Sequence, residues 1–162
     1  MHNILVPVDG SIHALKAAHI ACDFAQKYEG KVSLLYVVPK EKSAEKLLSL
    51  KVASSYGPKL KSLLKAQSKT TQGLASPAAI AAIGELILSQ AARKVRHQGV
   101  EVSVLPIVHG EIVEQILAHI ESIGASVVVL GSRGVSDANE SAFGSVSHAV
   151  FAQAQCTCLA VK

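Results

Sequence analysis

The sequence predicts an open α/β sandwich, in which a five-stranded parallel sheet carries helices on both faces. Five short apolar runs stand out: NILVPV (3–8), KVSLLYVV (31–38), EVSVLPIV (101–108), SVVVLG (126–131) and TCLAV (157–161). Stretches with helical periodicity separate them. A strand-then-helix rhythm that ends on a strand calls for parallel strands joined by right-handed crossovers. The runs are almost continuously hydrophobic, as strands buried on both faces are. A chain of 162 residues is long enough for one domain with its own core, so 1–162 reads as a single unit.

The first strand (3–8) leads into a helix over 11–29, with Ile12, Leu15, Ala18, Ile20, Cys22 and Phe24 as apolar positions and Gly30 as terminator. After the second strand the rhythm breaks. Residues 40–77 form an excursion, helical around Leu47, Leu48 and Leu50, interrupted at Tyr56-Gly57-Pro58, and loop-like and flexible over 67–76, where Ser, Thr, Gln and Gly accumulate. A helix over 78–98 follows, with Ile80, Ile83, Ile87 and Ala91 on one buried face and a stop at Gly99. The surrounding window 74–92 approaches the length of a membrane span, but Pro77, Gly84, Glu85 and Gln90 interrupt it. It reads as a core helix. Past the third strand, Ile112, Ile116, Leu117 and Ile120 mark a helix over 111–123 that closes at Gly124. A last helix over 145–155 starts on Ser145, a favoured N-cap.

Composition narrows the function. Apolar residues at 49% against 17% charged exclude general disorder. The net charge of +4 is not gathered into Lys/Arg runs interleaved with aromatics, so no nucleic-acid partner is expected. A basic surface does attract small anions. The opening MHNILVPVDG is too short and too early interrupted for a secretory signal. Cys22, Cys156 and Cys158 are odd in number, which fits reduced thiols in the cytoplasm; Cys156 and Cys158 share one strand face and read as small packed groups. The histidines at 2, 13, 19, 97, 109, 119 and 148 offer no spaced metal pair.

Chemistry concentrates after the fourth strand, in GSRGVSDANESAFGS (131–145). Gly131 and Gly134 let backbone leave the strand and approach a ligand without a Cβ in the way. Gly144 and Ser145 then open a helix, whose unpaired N–H groups and positive dipole end favour phosphate oxygens. The matching loop after the first strand is Val6-Pro7-Val8-Asp9-Gly10-Ser11. In such sheets ligands settle beyond the carboxyl ends of the strands. Neither G-x-x-x-x-G-K-[ST] nor G-x-G-x-x-G after strand one is present, which disfavours the two best-known nucleotide loops. Asp9 alone could be a turn residue, and Arg133 reads equally as a phosphate contact or a solvated charge. Asp137, Asn139 and Glu140 could meet a phosphate-bound Mg²⁺ or be solvated loop groups.

G-x-x-G, nine residues, then G-[ST] after a hydrophobic strand resembles the ATP-binding loop of the universal stress protein family. ILVPVDGS resembles that family's first strand and loop, LLYVV its second strand, and GSVSHAV with a final strand ending in VK its C-terminus. The resemblance covers nearly the whole chain except 40–77. It implies a Rossmann-like fold of the adenine nucleotide alpha hydrolase type. It also implies ATP, AMP or another adenine nucleotide as ligand, with Mg²⁺ accompanying ATP. By position, Asp9 and the backbone at Val38 hold the adenosine end, with Pro7 and Val8 lining its pocket. Gly131 and Gly134 wrap ribose and phosphates, and Gly144, Ser145 and Val146 receive the phosphates. Ser126 and Thr157 depart from a frequent acid and a frequent proline, and neither touches the cradle. The implied protein is a nucleotide-dependent regulator in the stress response with slow or no hydrolysis. It pairs as a homodimer through strand 157–161 and acts on a protein partner the sequence does not name. The rival from another class is an interaction module of the same fold with an empty pocket.

Overall fold

The computed structural model describes residues 2–96, 99–134 and 144–162. In chain order the elements are β1 (Asn3–Pro7), α1 (Ile12–Lys27), β2 (Lys31–Leu35), β3 (Val37–Val38), α2 (Ala44–Leu48), a 3₁₀ turn (Lys51–Ser55), α3 (Pro58–Ser68), α4 (Pro77–Val95), β4 (Val102–Val104), β5 (Val108–His109), α5 (Ile112–Ser122), β6 (Val127–Gly131), α6 (Ser145–Gln153) and β7 (Thr157–Val161). Five strands form a parallel sheet in the order β4-β2-β1-β6-β7. The chain order therefore reverses between β1 and β6, which makes the carboxyl ends of those two strands the switch point where open α/β sheets bind ligands.

Side chains alternate across this sheet because successive strand residues point to opposite faces. Ile4, Val6, Val32, Leu34, Val127 and Val129 meet α1 and α4 on one face. Leu5, Leu35, Val128 and Leu130 meet Ile116, Ile120 and Val150 of α5 and α6 on the other. Helix α1 lies close because its buried residues are small: Ala14, Ala17, Ala18, Ala21, Cys22 and Ala25. Burial, then the nearby Asp23 carboxylate, pushes the Cys22 thiol up to about 11. All three cysteines are free, and Cys156 and Cys158 pack part-buried on the α5/α6 side. No helix among the described residues is long and apolar enough to cross a membrane.

Helix α4 carries a glycine in its buried stripe. A Cβ added at Gly84 would lie 2.3 Å from Cδ1 and 2.5 Å from Cε1 of the buried Tyr36 ring. Alanine there gains about 1 kcal/mol of helix propensity, but overpacking a core costs about 1–3 kcal/mol. Gly84→Ala is therefore expected to lower the urea midpoint, and combining it with Tyr36→Leu to restore part of the loss.

Several expected boundaries change. The second and third strands each break in two, giving a separate two-stranded ladder of β3 and β5. Leu34 pairs Val104 and Val37 pairs Val108, so three steps on one strand face four on the other. The extra residue is a bulge beside Pro106, which has no N–H to give the ladder. Helix α1 ends with Glu29, not Gly30, in the left-handed region at φ 52°. Gly30 serves close approach instead, since a Cβ there would sit 3.0 Å from the His2 carbonyl oxygen.

The 67–76 stretch is not a free loop. Ser43 and Leu74 form an antiparallel bridge, Ala44 N–H donates to the Gly73 carbonyl at 2.9 Å, and Ala75 N–H to that of Lys42 at 2.9 Å. Buried Leu47, Val52, Tyr56 and Leu64 anchor the excursion to the α1/α4 core, and the Tyr56 hydroxyl donates to the Leu47 carbonyl at 2.9 Å.

Candidate functional site

A cavity opens at the switch point, with about 840 Å³ of empty space including its mouth. Its floor is apolar, from Leu35 and Val37 of the sheet, Ile112 and Ile116 of α5, and Leu130 of β6. The end of β1 and the loop after it contribute Pro7, Val8 and Asp9; the end of β6 and the loop after it contribute Gly131, Arg133 and Gly134; the first turn of α6 contributes Ser145, Val146 and Ser147 behind Gly144. Nine of the ten candidate residues thus border one space; Val38 does not.

Strand alternation turns the Val38 side chain away from the cavity. Leu35 and Val37 belong to the α5/α6 face that floors the cavity, whereas Val38 packs into the α1/α4 core at 2% exposure. Its carbonyl accepts the Gly110 N–H at 3.2 Å. Its neighbours Val37 and Pro39 line the cavity in its place.

The first loop is a tight turn. The Ser11 N–H donates to the Asp9 carboxylate at 2.9 Å, and Gly10 turns with φ 86°. The Ser11 hydroxyl caps α1 by accepting from Ala14 N–H at 3.1 Å and reaches the Arg133 carbonyl at 3.5 Å. The two loops are thereby tied together, and Asp9 is held at the cavity rim.

Gly131 is a glycine for a reason other than ligand approach. A Cβ on it would lie 2.7 Å from the Ala14 nitrogen and 2.8 Å from the His13 carbonyl carbon. The first turn of α1 thus occupies the space a side chain would need.

At α6, Gly144 is the N-cap and Ser145 the first helical residue, so Ser145 is not the cap its residue type suggests. Serines 11, 43 and 76 cap α1, α2 and α4 through their side chains. Gly144 makes no side-chain cap bond, and the first-turn N–H groups belong to Ser145, Val146 and Ser147, which line the cavity. They suit an anion, by hydrogen bonding and by dipole.

The serines that hold this helix end in place carried no periodic signal. The Ser132 carbonyl accepts from Gly144 N–H at 2.6 Å and from the Ser147 hydroxyl at 3.3 Å, and Ser132 N–H donates to the Val161 carbonyl at 2.7 Å. Together these bonds join the end of β6, the end of β7 and the start of α6.

Tyr36 also lines the cavity, and in the uniformly apolar run LLYVV nothing marks it as a site residue. Burial, then the charges of Asp9 and Tyr56, pushes its hydroxyl above the usual tyrosine range, so it stays protonated. His109 sits exposed on β5, away from the cavity lining. Asp137, Asn139 and Glu140 lie outside the described residues.

A model of the universal stress protein family matches residues 1–162. Universal stress protein YxiE of Bacillus subtilis (strain 168) is 28% identical over 163 residues, covering 99% of this chain and 99% of its own. Universal stress protein UspA from Lactobacillus plantarum has a similar structure at TM-score 0.72 and 23% identity, over 99% of this chain and 97% of its own. The universal stress protein from Archaeoglobus fulgidus in complex with dAMP superposes at TM-score 0.65 and 20% identity, over 100% and 98% of the two chains.

Proposed function

The chain belongs to the universal stress protein family, and from that premise we propose that it binds an adenine nucleotide, ATP foremost, and acts as a nucleotide-dependent regulator in a stress response. The observation that carries this reading is one cavity with Asp9 on one loop and, on another wall, a helix start with no side-chain cap bond. Asp9, with Pro7 and Val8, takes the adenosine end over the apolar floor. Gly134, Gly144, Ser145 and Val146 receive the phosphates, with Arg133 as the nearby cation. Gly131 shapes this path by letting α1 pack close. The dAMP complex of the Archaeoglobus protein supports an adenine nucleotide on this fold.

Hydrolysis is slow or absent on this reading. An attacking water needs a positioned base near the terminal phosphate, and the acid among the described lining residues, Asp9, is assigned to the opposite end. Mg²⁺ would arrive on the phosphates of ATP. Among the described residues strand β7 has β6 as its single neighbour in the sheet, and its outer edge offers backbone groups for pairing. We assign it to a homodimer contact, and the three free cysteines to work in the reducing cytoplasm. A protein partner would read the nucleotide state.

Denaturing the purified protein and analysing what it releases tests the ligand, and calorimetry with ATP, AMP and cyclic AMP ranks it. Saturable binding of at least one of the three is the expected result. No released adenine nucleotide together with no heat from any of them would leave the interaction module as the better description.

A further inference from the structure

We propose that a second hollow, on the other side of the turn after β1, binds a compact amphipathic anion, meaning one carboxylate or phosphate group on a short apolar body. The hollow lies between the start of α1, the 3₁₀ turn and the last turns of α4, with about 620 Å³ of empty space including its open side. Val8, Leu15, Val52, Ile87 and Ala91 line it with hydrocarbon. Lys51 from the 3₁₀ turn and Lys94 from α4 stand at it together, and no Asp or Glu is among the described lining residues. Neither lysine has an ion-pair partner among the described residues.

The wider charge distribution points the same way. Residues 40–77 contain eight lysines (40, 42, 46, 51, 59, 61, 65 and 69) and two acids (Glu41 and Glu45), a net +6 in a chain whose net charge is +4, so the remainder sums to −2. The positive field is therefore concentrated on the excursion that supplies Lys51, where it raises the local concentration of small anions.

An apolar floor beside two amines selects against both halves of the ligand taken alone. A bare anion leaves the hydrocarbon wet, and an uncharged apolar molecule gains nothing from the lysines. The hollow is also distinct from the nucleotide cavity. Val8 and Ala14 border both, but Asp9 lines the first, whereas Gly10, Ser11 and both lysines line the second. Gly10 brings the turn after β1 against α4 at this hollow, since a Cβ there would meet Ile87 Cδ1 at 2.9 Å.

The test is a calorimetric titration of the nucleotide-free protein with octanoate, octyl phosphate, acetate and octan-1-ol, so it does not depend on the nucleotide reading. Saturable binding of at least one octyl anion is expected, with none for acetate or octanol, and the stronger of the two anions identifies the preferred head group. Lys51→Glu and Lys94→Glu, both at exposed side chains, should each weaken it by about tenfold with an unchanged circular dichroism spectrum. Lys59→Glu, in the same basic segment but away from the hollow, should leave it unaltered. Failure of both octyl anions to bind, equal binding of octanol, indifference to Lys94→Glu, or equal weakening by Lys59→Glu would each overturn the proposal.

Discussion

Gly131→Val is expected to cost about 3 kcal/mol of stability, the upper end of what overpacking a core does, and Gly131→Ala distinctly less. The reason lies in what fills the missing side chain's place. The nearest atoms to a Cβ at 131 are the Ala14 nitrogen, the His13 carbonyl carbon and the His13 Cβ, at 2.7, 2.8 and 2.9 Å. Two of these are backbone, so no rotamer change relieves the contact. Helix α1 would have to retreat from β6, yet its first turn is fixed by the Ser11 cap and its packing rests on buried Ala14, Ala17 and Ala18. Conformational freedom is not the issue, because Gly131 does not adopt a positive φ. Urea unfolding followed by circular dichroism measures the loss. A midpoint equal to the parent's would mean that α1 does not approach β6 as described. The motif alone predicts the opposite signature, full stability with lost ligand binding.

That contrast shows what a glycine in a sequence can and cannot say. It announces that a Cβ is unwelcome, and Gly131, Gly134 and Gly144 all border the cavity. It does not say whether ligand or protein occupies the vacated space. Strands were legible because burial on both faces makes runs such as SVVVL continuous. The same continuity hid which face each residue takes: LLYVV is apolar throughout, so nothing in it separates Val37, towards the cavity, from Val38, towards α4. The break between β2 and β3 was hidden for a related reason. It depends on the register of 31–38 against 101–109, a pairing between distant parts of the chain, and Pro106 was its one local sign.

Polar residues posed the reverse difficulty. Ser132 and Ser147 are 1% and 3% exposed and fasten α6 to β6, yet a serine in a glycine-rich loop looks like any turn residue. The excursion read as partly flexible because Ser, Thr, Gln and Gly favour turns. Its order comes instead from the pairing of 42–44 with 73–75 and from four buried side chains, contacts that local composition does not encode.

Ser145→Asp should separate nucleotide binding from folding. Ser145 is the exposed first residue of α6 and does not cap it, so replacing it removes no cap bond. An acid at this position is favoured by the helix dipole by about 0.3–1 kcal/mol, and the unfolding midpoint should stay level or rise. A phosphate placed on the first-turn N–H groups would instead meet a like charge. At about 4 Å and an effective dielectric near 20, each unit pair is worth about 4 kcal/mol. Even a portion of this weakens ATP by at least a hundredfold, about 2.7 kcal/mol. AMP, with less charge, should lose less than ATP, whereas adenosine, with no phosphate, should be nearly indifferent. That graded order is a signature that general destabilisation cannot imitate. Calorimetry with the three ligands reads it directly, and ATP affinity unchanged by Ser145→Asp would place the anionic end of the nucleotide away from α6.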